Sequence, residues 1–526
     1  MRSIQMSEIT AFRVKNLRSL SDTAFIDLKP ITILVGRNSA GKSTFARVLP
    51  LIRQTVEVRK RSPMLWWGRL VDFGSFADSV NRNSDPREIE FGFRVTLDRA
   101  GELIRDSSSG VTVHGLRPQI VEVTLRMVED AGTHETRLSE IQIKKGKDNF
   151  LVQFSSGDRV DKIIVNSYTW IPPPEKERQE ITYESLIPTI HFFENRTIKS
   201  ADGNVIASYR TDLLQRELIS FFYGYSLVHG NTSWESVADL CRQLDPEDEN
   251  RLLVLMQNAG AGLPSWVSAV AGMTVDDWRF ARLRDRLLAA QLDTLLVRVD
   301  EAISNTVSRC AYIEPLRATA ERYYRKQGLS VAEVDSKGAN VPFFLDSLST
   351  TERERFDAWM FEHFDAGIKT SSDGGHLSIK LKDASGNETN LADVGFGFSQ
   401  VLPVALQLWS ATQRTNRPRA VRRRAPPSVV VIEQPELHLH PEYQAKIGDL
   451  LKSTIEAGNV CLVVETHSSS IINRLGSLVA SGELKSEKIQ ILRFEKTEPS
   501  KATEVAVSEF DEKGILKNWP YGFFDA

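Results

Sequence analysis

Cysteine is nearly absent from this chain. The three residues, Cys241, Cys310 and Cys461, are scattered among 526 positions with no metal-ligand spacing between them. That excludes a disulfide framework and a cysteine-based zinc site, and it fits a reducing compartment. Long apolar runs are missing too: no stretch approaches the ~18 residues of a membrane helix, and the opening residues 1–10 are polar, unlike a secretory signal. Charge of one sign is also lacking. With 66 Lys and Arg against 69 Asp and Glu, the net charge of −3 excludes a uniformly basic nucleic-acid coat, though not a local patch. No internal repeat or low-complexity tract is visible. What remains is an ordinary globular composition, 41% hydrophobic and 26% charged, long enough for roughly two to four compact units. The expectation is a cytoplasmic protein with no membrane partner.

Against that plain background two clusters stand out. The apolar run Ile31-Thr32-Ile33-Leu34-Val35 reads as a buried strand and leads into Gly36-x4-Gly41-Lys42-Ser43-Thr44. Glycines at those two places permit a tight loop whose amide N–H groups point inward at phosphates. Lys42 adds a point charge there, and the Ser43 hydroxyl can ligate Mg²⁺. A bare glycine turn would need neither the strand before it nor the helix after it. Asn38, Gly41, Lys42, Ser43 and Thr44 are therefore the candidate nucleotide-binding residues.

Roughly four hundred residues later, Val429-Val430-Val431-Ile432 forms a short apolar strand ending in Glu433, placed to hold the hydration shell of a Mg²⁺ ion beside Ser43. A second strand, Cys461-Leu462-Val463-Val464, ends in Glu465-Thr466-His467-Ser468. Polar groups ending the strands of an open parallel sheet converge at its carboxyl edge, where ligands bind. His467 would thus reach a γ-phosphate or the attacking water. Between these motifs the chain is strand-rich over 86–165 and helical over about 205–309. From Asp277 to Arg309, Leu283, Leu287, Leu288, Leu292, Leu295, Leu296, Val299 and Ile303 form one stripe. A coiled-coil arm would show stricter heptads, so a packed helical insert is expected. The first helix, from Ser43, contains Pro50, which should kink or shorten it.

The motifs together resemble ABC-type ATPase heads of the class shared by structural-maintenance-of-chromosomes, RecF and overcoming-lysogenization-defect (OLD-like) proteins. Within that class the chain is most similar to bacterial stand-alone ATPases with a W-P-x-G-F-F-D tail. The matching residues are Asn16-Leu17-Arg18-Ser19, the phosphate loop, Pro315-Leu316-Arg317, Leu391 to Gln400, Glu433 to Pro441, His467, and Trp519-Pro520-x-Gly522-Phe523-Phe524-Asp525. They bracket nearly the whole chain, with a looser match from about 105 to 305. The resemblance implies an α/β ABC-type head: a mixed sheet flanked by helices, an antiparallel β flank and a helical insert. Its segments would be an N-terminal ATPase lobe (1–204), the insert (205–309) and a C-terminal lobe (310–526). It also implies ATP and Mg²⁺ as cofactors, and a homodimer or higher homo-oligomer in which each phosphate loop faces the partner's signature segment. Many relatives serve anti-phage defence or DNA-maintenance modules, beside a separately encoded nuclease or toxin effector.

Two departures matter within that resemblance. In the signature segment Asp393-Val394-Gly395-Phe396-Gly397-Phe398-Ser399, Gly395 stands where a serine is usual, Gly397 allows close backbone approach, and Ser399 is the competing serine. After Glu433, the expected catalytic glutamate is Gln434, which can orient water but cannot accept its proton near neutral pH. Glu433, Gln434 and His467 are the candidate catalytic residues, with slow hydrolysis or a base such as Glu436 as the consequence. His438 and His440, two apart before Pro441, make a poor metal pair. Arg414, Arg417, Arg419, Arg422, Arg423 and Arg424 have no acid among them and suit either a DNA or RNA backbone or a solvated loop.

Overall fold

The computed structural model describes residues 8–97, 118–155, 159–173, 179–199, 205–328, 331–413, 429–496 and 503–519. Two compact units are present: residues 1–8, 58–64 and 90–303 form one, and residues 9–57, 65–89 and 304–526 form the other. The fold is mixed α/β, as the sequence leads one to expect.

The second unit is organised by a six-stranded sheet. Its order is Cys310–Ile313, Val429–Glu433, Cys461–Glu465, Ile31–Gly36, Ile489–Glu495 and Glu504–Ser508. The first five strands run parallel, and the last returns antiparallel. Parallel strands covered on both faces must be apolar throughout rather than alternating. Accordingly every residue of Ile31–Gly36 and of Val429–Glu433 is buried. Ile33, Val430, Ile432 and Val464 from the sheet share one core with Leu450, Leu451, Ile471 and Leu475 from the helices Pro441–Ala457 and Ser469–Ala480. The phosphate-loop strand thus lies in the middle of a sheet otherwise built from the C-terminal half.

Register sets the carboxyl edge of this sheet. Glu433 pairs with Glu465, and Glu465 with Leu34, so the two acids are level and the phosphate-loop strand runs two residues further, to Gly36. The helix after the loop is split into Lys42–Ala46 and Val48–Val56. Pro50 explains the break, because it has no N–H to donate to the Ala46 carbonyl one turn back.

The first unit carries an antiparallel meander of six sequential strands, from Glu88–Leu97 through Gln119–Glu129, Thr136–Lys145, Asp148–Ser155 and Arg159–Val165 to Tyr168–Trp170. Burial alternates along Gln119–Glu129, the pattern of a sheet with one covered face. The helices begin at Leu213, later than the pattern suggests, because Val205–Asp212 pairs as a strand with Thr189–Lys199. Asp212, Ser233, Asp248 and Asp277 each cap a helix through a side-chain oxygen. The leucine stripe divides at Gln291 into Trp278–Ala290 and Leu292–Val307, and all eight of its apolar residues are buried. It is therefore packed rather than extended as an arm. No helix among the described residues is long and apolar enough to cross a membrane.

Trp266 anchors this helical core. It is fully buried beside Phe222, and its indole N–H donates to the carbonyls of Met256 and Ala259, both at 3.1 Å. Trp266→Ala removes that packing and leaves a cavity, at a cost of about 3–5 kcal/mol. Urea unfolding followed by circular dichroism should show a destabilisation of this size, whereas a change below about 1 kcal/mol, the level of ordinary surface substitutions, would contradict the role given to Trp266.

Candidate nucleotide-binding site

The phosphate loop is shaped by two glycines that no other residue could replace without strain. Gly36 ends its strand at φ 146°, and a Cβ there would lie 2.5 Å from the Phe494 carbonyl oxygen of the adjacent strand. Gly41 has φ 97°, and its Cβ would meet Ser19 Oγ at 2.7 Å and Leu20 Cδ2 at 2.8 Å. Between them Ser39 also adopts a left-handed conformation, φ 62°. Lys42 then folds back beneath the loop. Its Nζ donates to the carbonyls of Gly36 and Arg37, both at 3.0 Å, and lies 3.7 Å from Glu465 Oε1. Burial lowers the pKa of this ammonium, and the Glu465 carboxylate partly offsets that pull.

A cavity of about 330 Å³ opens on the loop. Asn38, Gly41, Lys42, Ser43 and Thr44 line it, together with Arg18 and Ser19 from the first hairpin and Gln434 and Glu465 from two strand ends. All five phosphate-loop candidates and Gln434 therefore share one wall. Arg18 and Lys42 place two cations in it against one acid, Glu465, which suits a polyanion.

The two strand-end acids have different surroundings. Glu433 is 1% exposed and engaged on both oxygens. Arg47 Nε donates to Oε1 and Arg47 Nη2 to Oε2, each at 2.7 Å, and the Tyr312 hydroxyl donates to Oε1 at 2.8 Å. Burial raises the Tyr312 pKa and the neighbouring Glu433 charge raises it further. Burial opposes the Arg47 charge, but the hydrogen-bonded Glu433 carboxylate outweighs it and raises its pKa. Glu465 is 3% exposed and accepts from Ser43 Oγ at 3.0 Å on Oε1, while Oε2 has no partner among the described residues. Burial, then the charge of Glu433, push the Glu465 carboxyl up to about 7.

Behind Gln434 the backbone is tightly held. Gln434 has φ 45°, and its N–H donates to the Glu465 carbonyl at 2.8 Å. The buried Arg317 guanidinium donates to the carbonyls of Glu433 at 2.7 Å and Gln434 at 3.3 Å. Glu436 Oε1 accepts from the His467 backbone N–H at 2.7 Å, and its Oε2 is unpartnered. Burial raises the Glu436 pKa. His467 itself is exposed and does not line the cavity; partial burial and then the nearby Lys42 lower its pKa.

The signature candidates lie elsewhere. Gly395 caps the helix Phe396–Thr412 without a side-chain bond. A Cβ on Gly397 would come within 2.9 Å of the His438 carbonyl oxygen, and Ser399 is buried inside the helix. None of the three lines the phosphate-loop cavity. His440 caps the helix Pro441–Ala457, and no group of three or more His, Cys, Asp or Glu suited to a metal occurs among the described residues. Arg414, Arg417, Arg419, Arg422, Arg423 and Arg424 fall outside the described residues, as does the tail beyond Trp519.

Sequence reasoning passed over Glu465, Arg47 and Tyr312. Glu465 ends a strand at the same edge as Glu433, and Arg47 follows Ser43 by four residues, one turn along the same helical face. Those were the available signals. Ser43 Oγ and the unpartnered Glu465 oxygen are both hard donors at the cavity, so these residues fit a Mg²⁺ ion accompanying a nucleotide.

The Glu465 environment carries a pH signature. Its folded pKa of about 7 exceeds the ordinary 4.5, so between those values the native state holds a proton that the unfolded chain has released. Stability is then greatest below the window and falls as pH rises through it. Glu465→Gln keeps the shape and removes the titration. Thermal melts of nucleotide-free protein should show the variant melting higher than wild type above pH 7, with the gain fading toward acid pH. A pH-independent difference would assign the effect to another group.

Comparison with known proteins comes to the same site. The AAA ATPase domain family matches residues 8–110 and 293–472, more than half of the chain. A second family, described only as a protein of unknown function (DUF3696), matches residues 484–526. No curated protein matches the sequence. Among solved structures, the Smc head bound to the C-winged helix domain of ScpA is 9% identical, over 96% of this chain and 98% of that one, with a TM-score of 0.37. The SMC head domain from Thermotoga maritima is also 9% identical, over 96% and 99%, at 0.32. The Smc head with a coiled coil and joint from Pyrococcus yayanosii is 10% identical, over 97% and 98%, at 0.34. Such scores are too low to carry weight, and the matched segments hold both the phosphate loop and the strands that end in Glu433 and Glu465. The chain belongs to the AAA ATPase domain family.

Proposed function

We propose that this protein is an ATP-binding and ATP-hydrolysing ABC-type subunit of the OLD-like class, which dimerises on ATP and gates a separate nuclease or toxin effector. The observation that carries the reading is the buried Lys42 ammonium, held by two loop carbonyls and Glu465, in the wall of a cavity lined by the phosphate loop. Lys42 and the loop would bind the phosphates, and Ser43 would hold the metal with an acid from the sheet edge, Glu433 in the usual assignment. Bound Mg²⁺ would supply charge neutralisation on the phosphate oxygens. Gln434, in the same wall, would orient water by hydrogen bonds, and His467, outside that wall in this structure, would join it there. The absence of Gly395, Gly397 and Ser399 from that wall supports a partner subunit whose signature segment completes it. The segments 1–204 and 310–526 would then be two lobes of one head, with 205–309 inserted between them. DNA or RNA contact through Arg414 to Arg424, a defence or DNA-maintenance setting and a cytoplasmic location belong to the same proposal.

Lys42→Ala should abolish both fluorescent-ATP binding and the ATP-dependent rise in mass seen by light scattering. An unchanged ATP-driven dimer would remove the basis of the sandwich.

Gln434 favours a second reading, a scaffold that binds ATP, stays closed and holds its partner without turnover. Glutamine cannot act as general base, and such assistance is typically worth about 10²–10⁴-fold. Gln434→Glu should therefore raise steady-state phosphate release at least severalfold. A rate at or below wild type would show that another group, with Glu436 the next to test, already serves as base.

A further inference from the structure

We infer that Glu465, and not Glu433, is the sheet-edge carboxylate that shares the nucleotide's divalent cation with Ser43. The inference rests on the ATP-binding reading and revises its metal assignment. Three observations point this way. Ser43 Oγ, the loop hydroxyl that the sequence marks as a metal ligand, already donates to Glu465 Oε1 at 3.0 Å. The other Glu465 oxygen has no partner among the described residues although Glu465 is 3% exposed, and Glu465 lines the cavity. A buried carboxylate oxygen without a partner is costly, and a cation or its hydration shell would satisfy it.

Glu433 offers no such opening. Both its oxygens are engaged by Arg47 in a bidentate pair, Tyr312 adds a third bond, and the residue does not line the cavity. To ligate a metal it would have to give up a bidentate guanidinium partner that is itself partly exposed, leaving the buried Glu433 carboxylate to be satisfied anew. Strand order reinforces the point. Cys461–Glu465 is the immediate neighbour of the phosphate-loop strand, and Val429–Glu433 is one strand further out. With strands spaced about 4.8 Å apart, the inner carboxylate has the shorter reach. Glu433 then serves as the anchor that fixes Arg47, and with it the helix carrying Ser43.

The full-length protein tests this directly. Fluorescent-ATP affinity is titrated with and without Mg²⁺, and Mn²⁺ binding to the ATP complex is followed by electron paramagnetic resonance. Glu465→Gln should reduce the metal-dependent gain in ATP affinity, and the Mn²⁺ affinity, by about tenfold or more, while metal-free ATP binding stays near wild type. Glu465→Asp, which keeps a carboxylate, should recover part of the loss. Arg47 and Glu433 replaced together, Arg47→Met with Glu433→Gln, remove the ion pair without leaving a lone charge and should retain most of the metal-dependent gain. Loss of that gain in the double variant, with Glu465→Gln behaving as wild type, would overturn the inference and restore Glu433. If wild type binds no ATP at all, the ATP-binding reading fails instead, so the two failures are distinguishable.

Discussion

Two carboxylates end neighbouring parallel strands in direct register, Glu433 opposite Glu465, and both are almost completely buried. Like charges that close in a low-dielectric interior cannot both be ionised at little cost. Most of the site follows from how this conflict is resolved. Arg47 and Tyr312 engage both oxygens of Glu433 in hydrogen bonds. Glu465 is left with Ser43, a more distant Lys42 and a raised pKa. An incoming cation would relieve the same conflict, which gives a physical reason for metal and nucleotide to bind together.

The arrangement also ties remote segments into one framework. Arg47 lies just beyond the helix turn that starts at Lys42, Tyr312 comes from an outer strand, and Arg317 pins the carbonyls after Glu433. Phosphate loop, strand ends and the backbone at Gln434 are therefore held by charge-assisted bonds rather than by apolar packing alone. The left-handed Gln434 is part of that tension, because its N–H is fixed by the Glu465 carbonyl while the residue lines the cavity. An amide there can hydrogen-bond a water but cannot take its proton near neutral pH, which is the basis of the role proposed for Gln434.

Much of this was legible before any coordinates. The strand Ile31–Gly36, the loop that follows it and the short strands ending in Glu433 and Glu465 announce themselves by apolar runs and glycine spacing, which are local properties. Pro50 foretold the split helix, and the leucine stripe foretold a buried helical segment. Its division at Gln291 and the strand Val205–Asp212 were not visible, because a periodic stripe continues across a break and an alternating segment needs its partner strand to declare itself. The same limit applied to the site. Glu433 and Glu465 look alike as strand-terminal acids, and nothing near either residue tells which will be neutralised.

The resemblance marked a glutamine where a base is expected; by itself the sequence determined a phosphate loop on a buried strand and acids at the ends of two short apolar strands. These depend on residue type, period and short spacing. Only the tertiary structure decided that Cys461–Glu465 slots between the phosphate-loop strand and Val429–Glu433, bringing Glu465 to Ser43 and leaving Glu433 to Arg47. Strand order is chosen by the packing of the whole sheet against its helices, over separations of several hundred residues. No local pattern encodes that choice.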